Sequence, residues 1–129
     1  MKLLLDTHAL LWVLGDPDRM RAETLRTLAD DYNTVSVSVV SLWEIVIKRR
    51  VGKLQADIAS ITAQMAPASK MQWLGITPQH LQVLNSLPFH EQHRDPFDHL
   101  IIAQAIAEGM TLVTQDQNTS LYSVPLMSP

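Results

Sequence analysis

The chain has 129 residues, a formal net charge of −3 and no cysteine. That length suits one domain, 1–129, able to bury its own core; the missing cysteines exclude disulfide staples and thiolate metal sites, and the slight acidity excludes a surface coated in positive charge. No segment is apolar and charge-free for long enough to cross a bilayer, Asp6 and His8 break the apolar start that a secretory leader would need, and a cytoplasmic protein with no membrane partner is the expectation.

Lys2–Leu5 reads as a buried strand, and Thr7–Leu14 as a helix stopped by Gly15-Asp16-Pro17. Asp18 is placed to cap a second helix running to about Ala29, and the β-branched stretch Thr34–Val37 reads as the second strand. A helix follows in which Ser41 and Glu44 have the Ser-x-x-Glu spacing of a capping box, with Gly52 as its stop. Ala56–Met65 reads as a further helix ended near Pro67, Met71–Leu74 as a short strand, and Pro78–Leu84 as a short helix capped by Thr77. Ser86–Arg94 is a polar loop rich in histidine. Asp95-Pro96 caps a helix running to Glu108 and ended by Gly109. Thr111–Thr114 is a strand, and Tyr122–Leu126 reads as a last edge strand, where Pro125 is tolerated. Strands alternating with helices predict an α/β fold around a mainly parallel sheet, and right-handed crossovers put the ends of the first, second and fourth strands on one rim.

Four acids lie where these strands run out: Asp6, Glu44, Asp98 and Asp116. Each also has a local explanation. Asp6 suits a helix N-cap, Glu44 the capping box, and Asp116 a turn before Gln117-Asn118. Asp95 reads first as an N-cap, which leaves Asp98, in the first helical turn, the better ligand and Asp95 a supporting group. Their joint occurrence at junctions sharing one rim is more specific than any single residue. Ligands gather outside the carboxyl ends of parallel strands, and carboxylates brought together there need a cation or protons between them. Hard oxygen donors suit Mg²⁺ or Mn²⁺, and such sites usually perform phosphoryl chemistry. Thr7 and Thr114 are candidates to support the ligands through hydrogen bonds. Lys48, Arg49, Arg50 and Arg94 are candidates to contact a nucleic-acid backbone, although the first three also suit a helix C-terminus. His8, His80, His90, His93 and His99 show no helix-borne metal-ligand spacing; His90-x-x-His93 is a weak loop signal, and surface positions are expected for the histidines. His99, beside Asp98, could touch a phosphate. Trp12, Trp43 and Trp73 read as core or interface residues.

Four blocks carry a family resemblance: Leu4-Leu5-Asp6-Thr7-His8-Ala9-Leu10-Leu11-Trp12, Ser38-Val39-Val40-Ser41-Leu42-Trp43-Glu44-Ile45, Arg94-Asp95-Pro96-Phe97-Asp98-His99-Leu100-Ile101-Ile102-Ala103-Gln104-Ala105, and Leu112-Val113-Thr114-Gln115-Asp116. In order and spacing they resemble the PIN-domain family and, within it, the VapC-type toxins of type II toxin–antitoxin systems. The resemblance implies a compact α/β/α sandwich and an Mg²⁺- or Mn²⁺-dependent endoribonuclease acting on transfer or ribosomal RNA. It also implies a homodimer, and inhibition by a cognate antitoxin whose C-terminal segment covers the site. It carries over Asp6, Glu44, Asp98 and Asp116 as catalytic and metal-binding residues, with Asp95 as a further acidic position of the toxin subgroup. The chain departs from the pattern at His99, where relatives often carry arginine, and at Gln115 and Gln117, where charged residues are often seen.

The chemistry expected of such a site is in-line hydrolysis of a phosphodiester, with Glu44 orienting the attacking water. A phosphoacceptor signalling domain is also α/β and Mg²⁺-binding, but it needs an acidic neighbour for the first-strand acid and a lysine after a late strand; Asp6 lacks the first, and no lysine follows Lys70. A haloacid-dehalogenase-like phosphatase needs a second aspartate two residues after its nucleophile, where this chain has His8. A non-catalytic nucleic-acid-binding PIN module would fit the same fold.

Overall fold

The structure is a computed structural model that describes residues 1–65 and 69–129. Five strands form one sheet: β1 (Lys2–Leu5), β2 (Thr34–Ser38), β3 (Met71–Leu74), β4 (Thr111–Val113) and β5 (Leu126–Met127), in the order β3-β2-β1-β4-β5. Every pairing is parallel. All five carboxyl ends therefore lie on one rim. The chain builds outward from β1 to β2 and β3, then returns to add β4 and β5 on the other side. The gap between β1 and β4 is thus the switch point at which a ligand crevice opens.

Side-chain alternation in the strands defines two cores. Leu3, Leu5, Val35 and Val37 face one side, with Ala9, Leu10, Leu28, Ile45 and Ile61 from α1 (Thr7–Gly15), α2 (Ala22–Ala29), α3 (Val39–Arg50) and α4 (Ile58–Gln64). Leu4 and Leu112 face the other, against Leu100, Ile101, Ile102 and Ala105 of α6 (Pro96–Glu108), with Leu84 of α5 (Pro78–Ser86) packed on them. This is a helix–sheet–helix sandwich, and strands buried on both faces explain the unbroken apolar run Leu3-Leu4-Leu5.

A buried polar link crosses the second core. The Ser38 hydroxyl caps α3 by accepting from Val40 N (3.0 Å) and donates to Gln104 Oε1 (2.5 Å). Gln104, fully buried, donates in turn to the Gly75 carbonyl (3.1 Å). Each buried polar group thereby finds a partner, and the link ties the entry of α3 to α6 beneath the rim.

Local expectations fail at four places. Asp18 does not cap a long helix: Pro17–Arg19 forms a single 3-10 turn, and α2 begins only at Ala22. The cause is Met20, whose extended backbone carries its side chain into the first core and interrupts helical geometry. Ser41 and Glu44 are not a capping box, because Ser38 caps α3 one turn earlier and leaves both residues buried within the helix. The last strand is not Tyr122–Leu126. Asp116 caps a 3-10 turn over Gln117–Leu121, Tyr122 and Val124 enter the second core, and pairing with β4 resumes beyond Pro125, which has no N–H to give. The helix expected over Ala56–Met65 spans Ile58–Gln64 with Asp57 as its cap; its expected stop at Pro67 lies outside the described residues. No helix among the described residues is long and apolar enough to cross a membrane.

Candidate active site

The rim carries an acidic cleft of about 480 Å³ whose lining includes Asp6, Glu44, Lys48, Asp95, Asp98 and Asp116. The four acids at predicted strand ends therefore meet in one place, with Asp95 beside them.

Three of these acids act locally as caps. Asp6 closes β1 and caps α1, its Oδ1 accepting from Ala9 N (2.8 Å). Asp95 caps α6 through Phe97 N (2.8 Å), and Asp116 caps the 3-10 turn after β4 through Asn118 N (2.9 Å). A helix N-terminus favours an anion, so the same local geometry that uses one carboxylate oxygen holds the group at the rim.

Glu44 is held from both sides. The buried Thr7 hydroxyl donates to Oε1 (2.6 Å), with Ser41 Oγ 3.1 Å from the Thr7 oxygen. Lys48, one turn along α3, places Nζ 2.8 Å from Oε2. Both carboxylate oxygens are thus engaged, and the Lys48 ammonium is held charged above its usual range by its hydrogen bond to Glu44, with Asp95 and Asp98 adding to the effect. At the other wall the Thr114 hydroxyl oxygen accepts from Asp116 N (3.1 Å), and the hydroxyl favours the ionised form of Asp6.

Crowding and burial show in the titration of the acids. Burial pushes the Asp6 carboxyl upward, and the Thr114 hydroxyl and Ala9 N–H partly oppose this. Asp98 is pushed to about 6 by burial and by the neighbouring charges of Asp95 and Glu44, with His93 acting in the opposite sense.

The sequence reading placed the histidines at the surface; His80 and His93 are instead buried. His93 stands inside the acidic cluster. Its Nε2 lies 3.3 Å from Asp98 Oδ2 and 3.4 Å from Asp116 Oδ2, and its Nδ1 lies 2.9 Å from the Tyr122 hydroxyl. Among the described residues, His93, Asp98 and Asp116 each offer a ligand atom, all within 4.8 Å of one another. The weak His90-x-x-His93 signal was the available hint, whereas Tyr122 gave none. His99 turns inward, Nε2 meeting the His93 carbonyl at 2.6 Å.

The basic residues separate. Lys48 lines the cleft, whereas Arg49 and Arg50 line a different depression with Gly52, Leu54, Gln55 and Ala56. Exposed Arg94 is turned to Glu91, donating to its carbonyl (3.1 Å). Trp43 is half exposed, edge-on to Phe97 with ring centroids 4.7 Å apart.

An all-parallel sandwich with a carboxylate-lined crevice at its switch point defines the class of protein. The chain belongs to the PIN domain family, whose model matches residues 3–125. It is 27% identical over 123 residues to Ribonuclease VapC22 of Mycobacterium tuberculosis, covering 95% of this chain and 93% of that protein. Its fold matches VapBC2 from Rickettsia felis, solved bound to a promoter DNA fragment, with a TM-score of 0.77 at 20% identity over 99% of this chain and 98% of that one. VapBC-5 of Mycobacterium tuberculosis, a member of the VapBC family of toxin–antitoxin systems, matches with a TM-score of 0.60 at 20% identity, over 99% and 98% of the two chains.

Proposed function

We propose that this chain is a divalent-metal-dependent endoribonuclease, the toxin of a toxin–antitoxin pair, hydrolysing RNA phosphodiester bonds. The observation that carries the reading is the charge balance of the cleft: Asp6, Glu44, Asp95, Asp98 and Asp116 are gathered around Lys48, the one lysine or arginine in its lining among the described residues. Carboxylates so placed call for a cation, and hard oxygen donors select Mg²⁺ or Mn²⁺ over softer ions. Asp6, Glu44, Asp98 and Asp116 would hold it, with Asp95, Thr7 and Thr114 supporting them. When bound, such an ion neutralises phosphoryl charge, acidifies an attacking water and stabilises the leaving oxygen.

The chain's own residues supply the rest. Thr7 and Lys48 fix both Glu44 oxygens, so Glu44 presents a set orientation to the cleft. Any part in aligning water requires Lys48 to release it as the anionic substrate arrives. Lys48 is then the cation best placed for a phosphate, and Arg94 and the Arg49–Arg50 pair are candidates for more distant backbone contacts. The name of the ribonuclease relative supports an RNA substrate, and the toxin–antitoxin structures support a cognate antitoxin as partner; transfer or ribosomal RNA is the substrate class proposed. A cytoplasmic homodimer of single-domain chains, 1–129, completes the proposal.

The deciding experiment is cleavage of total cellular RNA by purified protein with Mg²⁺ or Mn²⁺. Asp6→Asn and Asp98→Asn should each abolish cleavage while circular dichroism and melting remain those of a folded protein. Full cleavage by either variant, or cleavage undiminished in EDTA, would reject this site.

A further inference from the structure

His93 is a buried titratable side chain in contact with the cleft acids, and the function above does not use it. It lies on the loop before α6, only 4% exposed. Its backbone is pinned by its own N–H to the His90 carbonyl (3.1 Å) and by His99 on its carbonyl (2.6 Å). Its ring bridges elements far apart in sequence: Asp98 in the first turn of α6, Asp116 after β4, and Tyr122 beyond the 3-10 turn.

The hydrogen positions follow from the neighbours. Nε2 faces two carboxylate oxygens, acceptors when ionised, and with both ionised it carries the hydrogen. In the neutral ring Nδ1 is then an acceptor, and the Tyr122 hydroxyl, whose one hydrogen bond among the described residues is to this nitrogen, donates to it. An Nε2 that carries hydrogen has no lone pair for a metal. In this arrangement the ring meets the acids as a hydrogen-bond donor.

We infer that His93 is a positioning residue: its Nε2–H donates to Asp98 Oδ2 with Asp116 Oδ2 in contact beside it, and the Tyr122 hydroxyl on Nδ1 holds the ring in place, so that the two carboxylates hold fixed orientations toward a divalent cation. The inference rests on the metal-site reading above. Asp98 accepts from the ring at 3.3 Å, while Asp116, fixed through Oδ1 on Asn118 N, keeps Oδ2 3.4 Å from the same nitrogen. Partners of this kind behind metal ligands change affinity by about 10–100-fold when removed.

The test uses the full chain and Mn²⁺ as the probe. His93→Ala should weaken Mn²⁺ binding in titration calorimetry by about 10–100-fold. His93→Gln, whose amide can still donate to the carboxylates, should recover most of that loss, and Tyr122→Phe should fall between. Pulsed electron paramagnetic resonance of bound Mn²⁺ should show no histidine nitrogen coupling, and ¹⁵N spectra of the metal-free protein should show the Nε2–H tautomer. A nitrogen coupling that vanishes in His93→Gln would make His93 a ligand and overturn the inference. So would an Nδ1–H tautomer, or unchanged Mn²⁺ affinity in a folded His93→Ala. Wild-type protein that binds no Mn²⁺ would remove the metal site itself, and the inference with it.

Discussion

Asp98 illustrates how the cleft trades stability for readiness. Its carboxyl titrates near 6 rather than at its ordinary 3.8, because burial and the charges of Asp95 and Glu44 disfavour ionisation. Between those values the native state keeps a proton that the unfolded chain has released, so this group's stabilising contribution is present below the lower value and is lost as pH rises through the upper one. Asp98→Asn should therefore stabilise metal-free protein at pH 7.5, by about 1 kcal/mol after discounting for the carboxyl's partial exposure, and raise its melting temperature. The gain should shrink toward pH 4, and differential scanning calorimetry in EDTA at both pH values checks it. Thr7 acts in the opposite direction. Thr7→Val removes the donor to Glu44 Oε1 in a buried setting and should cost about 1–3 kcal/mol in urea unfolding.

The helices place these residues through their ends. α6 begins at Asp95-Pro96 and ends at Gly109, whose φ of 66° is a left-handed conformation. A Cβ there meets nothing within 4 Å, so the cost of Gly109→Ala is conformational strain alone, about 1–2 kcal/mol. Gly15, in the last turn of α1, has no positive φ and equally open surroundings; Gly15→Ala should be neutral or stabilising by up to about 1 kcal/mol. Paired chemical-denaturation curves test both, and equal effects would refute the conformational argument. Helical rotation also explains how the basic run divides. Lys48 is four residues from Glu44 and returns to its side of α3, whereas Arg49 and Arg50 turn about 100° and 200° further round. Consecutive basic residues in a helix thus do not form one patch.

Across the whole molecule, the cleft exists because β1 and β4 are neighbours although more than a hundred residues separate their strands. If the acids gathered at that junction hold a divalent ion as proposed, the stability of the fold should depend on it. Free Mg²⁺ at about 100 times its dissociation constant should add about 2.7 kcal/mol to unfolding stability. The increment should disappear in an Asp6→Asn/Asp116→Asn double variant, and thermal melts with and without Mg²⁺ measure it. No increment in the wild type would contradict the metal-site reading.

Much of this was legible from short-range chemistry. Asp6 after an apolar strand, Asp95-Pro96 before a helix and Gly109 after it are local signals, because capping and left-handed stops act within one turn. The same locality explains the misreadings. Ser41 and Glu44 have capping-box spacing, but Ser38 ends β2 and captures the cap first. Asp18 has a capping residue's chemistry, but Met20 is drawn into the core. Sequence alone thus determined the alternation of strands and helices and the acids at their junctions. Tertiary structure alone decided that those acids share one cleft, that Lys48 joins them without Arg49 and Arg50, and that His93 stands between Asp98 and Asp116, because burial and charge proximity depend on which distant strands become neighbours.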